Sequence, residues 1–217
     1  MNGILEVLRR GGFGQLLLTH IELSVLALLI GIAIAIPVAL AVNRSPFWSA
    51  VAINIGNIGR SVPSLAILAF ALPIFGLGFV PSLVALAALA IPPILINAST
   101  GLRQVDPKIV DAARGMGLSG RQILTGVQIP IAAPIIFAGI RTAAVQVVAS
   151  ATLATFIGGG GLGDLIVEGF QRNDIYIQLA GALSVAVLAI ITELGFGFLE
   201  RAFTPKGLKV ARKRRGK

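Results

Sequence analysis

The sequence predicts an all-α integral membrane protein, and three observations carry that prediction. Of 217 residues 56% are hydrophobic, and mean hydropathy is +0.92. Charged residues are 12% of the chain, against about 25% in ordinary soluble domains. The apolar residues fall in long uninterrupted runs separated by short charged segments, and about twenty residues at 1.5 Å each cross a bilayer core. We expect about five transmembrane helices, with room for a sixth.

The first run, Leu23 to Val42, is twenty residues without a charge, and predicts a helix over 16–42. A cleaved signal peptide would have a shorter apolar region and a small-residue cleavage site. From Phe47 to Gly101 the only charge is Arg60. That stretch has room for two spans, broken near Gly76-Leu77-Gly78, so helices are expected over 47–75 and 80–102. The alternative for the first is a shorter re-entrant piece around 47–61. Residues 131–157 and 175–200 give the fourth and fifth helices. The expected organisation is an extracytoplasmic segment 1–15, a membrane domain 16–202 with a loop 103–130 inside it, and a basic tail 203–217.

Charge orients these spans. Cytoplasmic flanks of membrane helices are rich in Lys and Arg. The turn at 43–46 carries Arg44, and the loop 103–121 carries Arg103, Lys108, Arg114 and Arg121. Eight of the eighteen basic residues lie between Arg201 and Lys217. The segment 158–174 has Asp164, Glu168 and Asp174 against Arg172. Five spans with the N-terminus outside and the C-terminus in the cytoplasm satisfy all of these; Arg9 and Arg10 are the exceptions. The net charge of +9 is therefore a membrane flank. The tail lacks interleaved aromatics to stack bases, so nucleic acid is not an expected partner.

Several functions are excluded. With no cysteine and a single histidine, His20, no disulfide or thiolate site exists and a histidine metal site is not expected. Gly158, Gly160 and Gly163 within GGGGLGDLI match the G-x-G-x-x-G spacing of dinucleotide-binding turns. That fingerprint needs a strand before it, a helix after it and a βαβ unit. Here it follows a membrane span and lies outside. It reads instead as a flexible turn between spans 4 and 5, shaping an outer gate through Gly160, Gly161 and Asp164, or as a plain packed turn. No nucleophile–base pair is readable, so an enzyme is not expected.

The loop 103–130 is the most informative stretch. Asp106 can cap a helix that starts at Pro107, and Gly115 and Gly117 end it. A second piece runs from Ser119 to Ile129. The result is a short surface helix with a small-residue face, Ala112 and Ala113, flanked by Asp111 and Arg114. An interfacial helix lying on lipid has the same composition.

This stretch resembles the EAA signature of type I ABC-importer permeases: Glu-Ala-Ala, three residues, Gly, nine residues, Ile-x-Leu-Pro. Here Asp111-Ala112-Ala113 is followed by Gly117 and by Val127-Gln128-Ile129-Pro130. Asp stands for Glu, Val for Ile and Ile for Leu. The resemblance implies the type I importer permease fold, with the loop as a coupling helix that docks on a separate ATPase subunit. Asp111, Ala112, Ala113 and Gly117 are then the docking residues. Gly59-Arg60-Ser61-Val62-Pro63-Ser64-Leu65-Ala66, the stretch from Ile157 to Leu165 and the length are similar to the osmoprotectant permeases, which serve glycine betaine, carnitine, choline or proline betaine uptake.

The implied partners are an ATPase dimer, a second permease copy or paralogue, an extracytoplasmic substrate-binding protein and the bilayer. This chain would hold no cofactor, ATP and Mg²⁺ being used by the ATPase. Other solutes, ergothioneine or an amino acid, stay open. A stand-alone secondary transporter would need inverted repeats or intramembrane acids; no repeat is visible and Glu193 is the only acid deep in a span. An exporter or a lipid-handling membrane protein would not need the signature.

Charges inside spans cost about 2.5–3.5 kcal/mol each at a helix centre, so Arg60, Arg141 and Glu193 should face the bundle, a partner or water. Two readings are open: Arg60, Pro63, Asn97, Arg141 and Gln146, with Asn54 and Asn57, line or gate a polar path; or they join helices, for example Arg141 with Glu193. Quaternary ammonium groups are held by aromatic cages. Trp48 and Tyr176 fit interfacial belts instead, so selective capture is expected on the external binding protein. His20 is expected to be a satisfied interfacial histidine.

Overall fold

The computed structural model describes residues 2–9 and 11–203, without the side chains of Asn2, Ala202 and Phe203. The basic tail read over 203–217 lies outside the described residues, apart from the backbone of Phe203. Every regular element among the described residues is helical: α1 Asn2–Arg9, α2 Phe13–Val42, α3 Pro46–Ser61, α4 Ser64–Phe75, α5 Phe79–Arg103, α6 Pro107–Gly115, α7 Gly120–Ile123, α8 Ile129–Ser150, α9 Gly163–Gln171 and α10 Ile175–Phe203. A π-helical turn, Leu124–Gln128, joins α7 to α8, and a 3₁₀ stretch, Ala151–Ile157, extends α8.

Among the described residues, four stretches are long and apolar enough to cross a membrane: Phe13–Val42, Phe79–Arg103, Gly120–Ile157 and Ile175–Arg201. The expected helix over 47–75 is corrected. It is two helices, α3 and α4, bent by 91°. Pro63 causes the break: it has no N–H to continue the helix and pushes the residue before it out of the helical region. Val62 and Pro63 accordingly have ψ 125 and 134. The pair still crosses from one end of the bundle to the other. At its start Asn43 touches Gln128, beside the 103–130 loop; at its finish the Gly78 N–H donates to the Ile157 carbonyl (2.7 Å), at the far end of α8. Counted as one broken span, it makes five.

The core is built on α5, which packs against α2, α3, α4 and α8. It is made largely of alanines and leucines, with Leu23, Leu68, Leu86 and Ile94 fully buried. Small residues set the helix spacing, since apolar lipid supplies little drive to associate and close backbone packing must do the work. A Cβ on Gly139 of α8 would lie 2.5 Å from Asn97 Cβ on α5, and one on Gly31 of α2 would lie 2.6 Å from Ala90 Cβ. The outward faces stay apolar, as lipid contact requires: Phe70, Ile74, Leu194 and Phe198 are each about 70% exposed.

Candidate functional site: the coupling surface and the outer turn

α6 stands at the end of the bundle where α5 finishes and α8 begins. The Asp106 carboxylate accepts from the Lys108 N–H (2.9 Å), and Pro107 takes the first helical position. The helix ends at Gly117, whose φ of +83 is left-handed; the Leu118 N–H returns to the Ala113 carbonyl (3.2 Å). A full capping box at Ser119 and Gln122 then starts α7. The π turn that follows brings Gln128 against α2, where Asn43 Nδ2 donates to Gln128 Oε1 (3.3 Å). Nothing in the sequence pattern had signalled the π turn or this link.

The sequence-derived docking residues part company here. Asp111 is exposed and accepts from the Arg114 guanidinium (3.3 Å), holding a charged pair on the surface. Ala112 is exposed. Ala113 is 2% exposed, which corrects the expected two-alanine outer face. Consecutive helical residues point about 100° apart, and that step carries Ala113 under α6 while Asp111 and Ala112 stay outside. Gly117 is exposed, with nothing within 4 Å of an added Cβ. Two residues missed in the sequence complete the surface: Met116 is 75% and Ile109 44% exposed. Large apolar side chains, a small residue and an ion pair thus share the exposed side of this short polar helix.

The candidate path residues do not form one group. Arg60 ends α3, exposed, with exposed Pro63 just past the bend. Asn97 is half-buried, donates to the Pro93 carbonyl (2.8 Å) and packs on Gly139. Arg141 is ion-paired to Glu193 and to Glu200 (3.2 Å), tying α8 to α10. The hydrogen bond of Asn97 thus stays within α5, while Arg141 links two helices. Gln146 is half-buried on α8.

At the opposite end, the glycine run is packed. The buried His20 ring sends its Nε2 proton to the Val148 carbonyl (3.0 Å), while its Nδ1 accepts from the Leu162 N–H (3.3 Å). One neutral tautomer satisfies both. His20 is therefore satisfied, but in the core rather than at an interface. Gly161, φ +101, is buried directly against that ring, so it packs inward and presents no surface. Gly160 is half-buried, and Asp164 accepts from the Thr155 hydroxyl. A Cβ on Gly163 would lie 2.2 Å from the Thr152 carbonyl oxygen. Behind the run comes α9, a helix where the sequence predicts a loop.

Residues 23–205 match the family described as binding-protein-dependent transport system inner membrane component. The chain belongs to that family. A carnitine transport permease protein of Listeria monocytogenes is 40% identical over 214 residues, 98% of each chain. A glycine betaine/carnitine/choline transport system permease protein of Bacillus subtilis (strain 168) is 41% identical over 212 residues, 96% of this chain and 97% of that one. The fold is that of type I ABC importer permeases: the MetNI methionine ABC transporter in an inward-facing form aligns with a TM-score of 0.77 at 22% identity, covering 89% of this chain and 96% of that one. The chain is thus a multi-pass membrane permease component. α6 presents an exposed face at one end of the bundle, whereas the glycine run at the other is largely packed.

Proposed function

We propose that this permease carries osmoprotectants of the quaternary ammonium type, glycine betaine, carnitine, choline or proline betaine, into the cell. The observation that carries this reading is identity of 39–41% over at least 96% of the chain to proteins named for carnitine, glycine betaine and choline transport. Two permease chains, identical or related, enclose the path. An external binding protein selects the solute, and a separate ATPase dimer uses ATP and Mg²⁺. α6 docks on that ATPase through Asp111, Ala112 and Met116, and Gly117 fixes where the helix stops.

The orientation puts α6 and the C-terminus in the cytoplasm and the N-terminus outside. The basic residues Arg44, Arg103, Lys108, Arg114 and Arg121, gathered at the α6 end, support it. The link from Gln128 to Asn43 gives α6 a hold on the α2–α3 corner as well as on α8, so closure of the ATPase would move two spans together. The break at Pro63, with Arg60 beside it, gives α3 and α4 a place to change angle; this is where a gate would work. Gly160 and Asp164 remain the residues of the outer turn nearest a docked binding protein. The test is the ATPase rate of the assembled complex with its binding protein. Stimulation by carnitine, glycine betaine or choline is expected, and stimulation by none of them, with another solute active, would overturn the reading.

A further inference from the structure

A groove of about 510 Å³ lies between α1, α2 and α10, away from α6. Its α2 wall is Phe13, Leu17 and Ile21, each four residues apart. Its α10 wall runs from Ala180 to Ile191 at spacings of three and four, the seam of one helix face. Ile4 and Leu8 of α1 complete the lining. The only side-chain polar group in the lining is Ser184, and its hydroxyl is donated to the Ala180 carbonyl (2.7 Å). The groove therefore has no free side-chain donor in its lining and suits hydrocarbon.

Its length identifies the occupant. Phe13 to Ile21 rises about 12 Å and Ala180 to Ile191 about 16 Å. A bilayer core is about 30 Å thick, so the groove is one leaflet deep. A transmembrane helix of a second copy or a partner would need the full thickness. It would also run into α1, which joins both walls at their N-terminal ends, its Gly3 seated on the Tyr176 ring. A lipid tail ends at the bilayer centre, as the groove does. The charge at the mouth agrees. α1 is strongly one-sided, with Val7 buried and Glu6 and Arg9 exposed. Arg9 directly follows the lining residue Leu8, and residues 1–10 carry Arg9 and Arg10 against the single acid Glu6.

We propose that this groove seats one acyl chain of a phospholipid from the leaflet opposite α6, with the lipid phosphate set against Arg9. This tail is a resident part of the fold: it fills the gap that would otherwise separate α1 from the α2–α10 pair. The site is independent of the solute carried.

The test uses tryptophan quenching in vesicles containing phosphatidylglycerol brominated in mid-chain, with Trp48→Phe as background. Leu183→Trp reports from the groove and Ala186→Trp, at an exposed position outside the lining and at nearly the same depth, from the open face of the same helix. Leu183→Trp is expected to quench at an about tenfold lower fraction of brominated lipid than Ala186→Trp. Ser184→Phe, which overfills the groove, should erase that difference. Arg9→Gln, an exposed change that does not threaten folding, should weaken it about fivefold, the effect of one interfacial cation. Equal quenching at both positions would overturn the proposal. So would a groove signal untouched by both Ser184→Phe and Arg9→Gln. Efficient disulfide formation between two copies of a Val187→Cys variant, in a chain that has no native cysteine, would assign the groove to a protein neighbour and overturn it as well.

Discussion

The two ends of the bundle use glycine in opposite ways. At the α6 end, Gly117 is left-handed with open space around it: it stops a helix and leaves that helix's outer face free. At the other end, Gly161 and Gly163 are glycines because neighbours occupy the space, the His20 ring in one case and the Thr152 carbonyl in the other. At one end a helix face stays exposed. At the other, packing holds α2, α8 and α9 together. The same residue type therefore borders an open surface in one place and fills a tight internal contact in another, and burial tells them apart.

Substitutions at the two ends should separate along that line. The largest effect on transport is expected from Ala112→Arg, which puts a long cation on the exposed docking face. Solute uptake should fall about a hundredfold with thermal unfolding of the purified chain unchanged, as for a truncated or blocked interface hot spot. Near-normal uptake would remove α6 from the coupling surface. At the packed end, Gly163→Ala should do the reverse: a Cβ at 2.2 Å from a backbone oxygen costs about 3 kcal/mol, at the upper end for overpacking. The unfolding midpoint should drop while any surviving protein still stimulates the ATPase. His20→Leu should be milder, about 1–3 kcal/mol, since it strands the buried Leu162 N–H and Val148 carbonyl; thermal unfolding in detergent measures it.

The sequence reading reached different depths at the two ends. The spans were legible because lipid demands long apolar runs, and charge placement followed from the cost of moving Arg and Lys across. The α6 helix was legible because its cap, Asp106-Pro107, and its stop, Gly117, are local chemistry. What was not legible depends on contacts far apart in the chain. That Ala113 faces in and Ala112 out requires knowing which side of α6 meets the bundle. The Gly161–His20 contact joins residues on opposite sides of four spans. Arg141 was expected either to line a path or to pair, and its second partner, Glu200, lies 59 residues away. Pro63 stands inside the helix expected over 47–75; its 91° consequence depends on α5, which packs against both α3 and α4.

The most direct measurement is ATP-driven uptake into proteoliposomes holding this permease, its ATPase and its binding protein. Labelled carnitine, glycine betaine, choline, proline betaine and methionine would be compared. Accumulation of one or more of the quaternary ammonium solutes, dependent on ATP and lost in Ala112→Arg, is the expected result. Accumulation of methionine with none of the others, or uptake that ignores Ala112→Arg, would contradict the account.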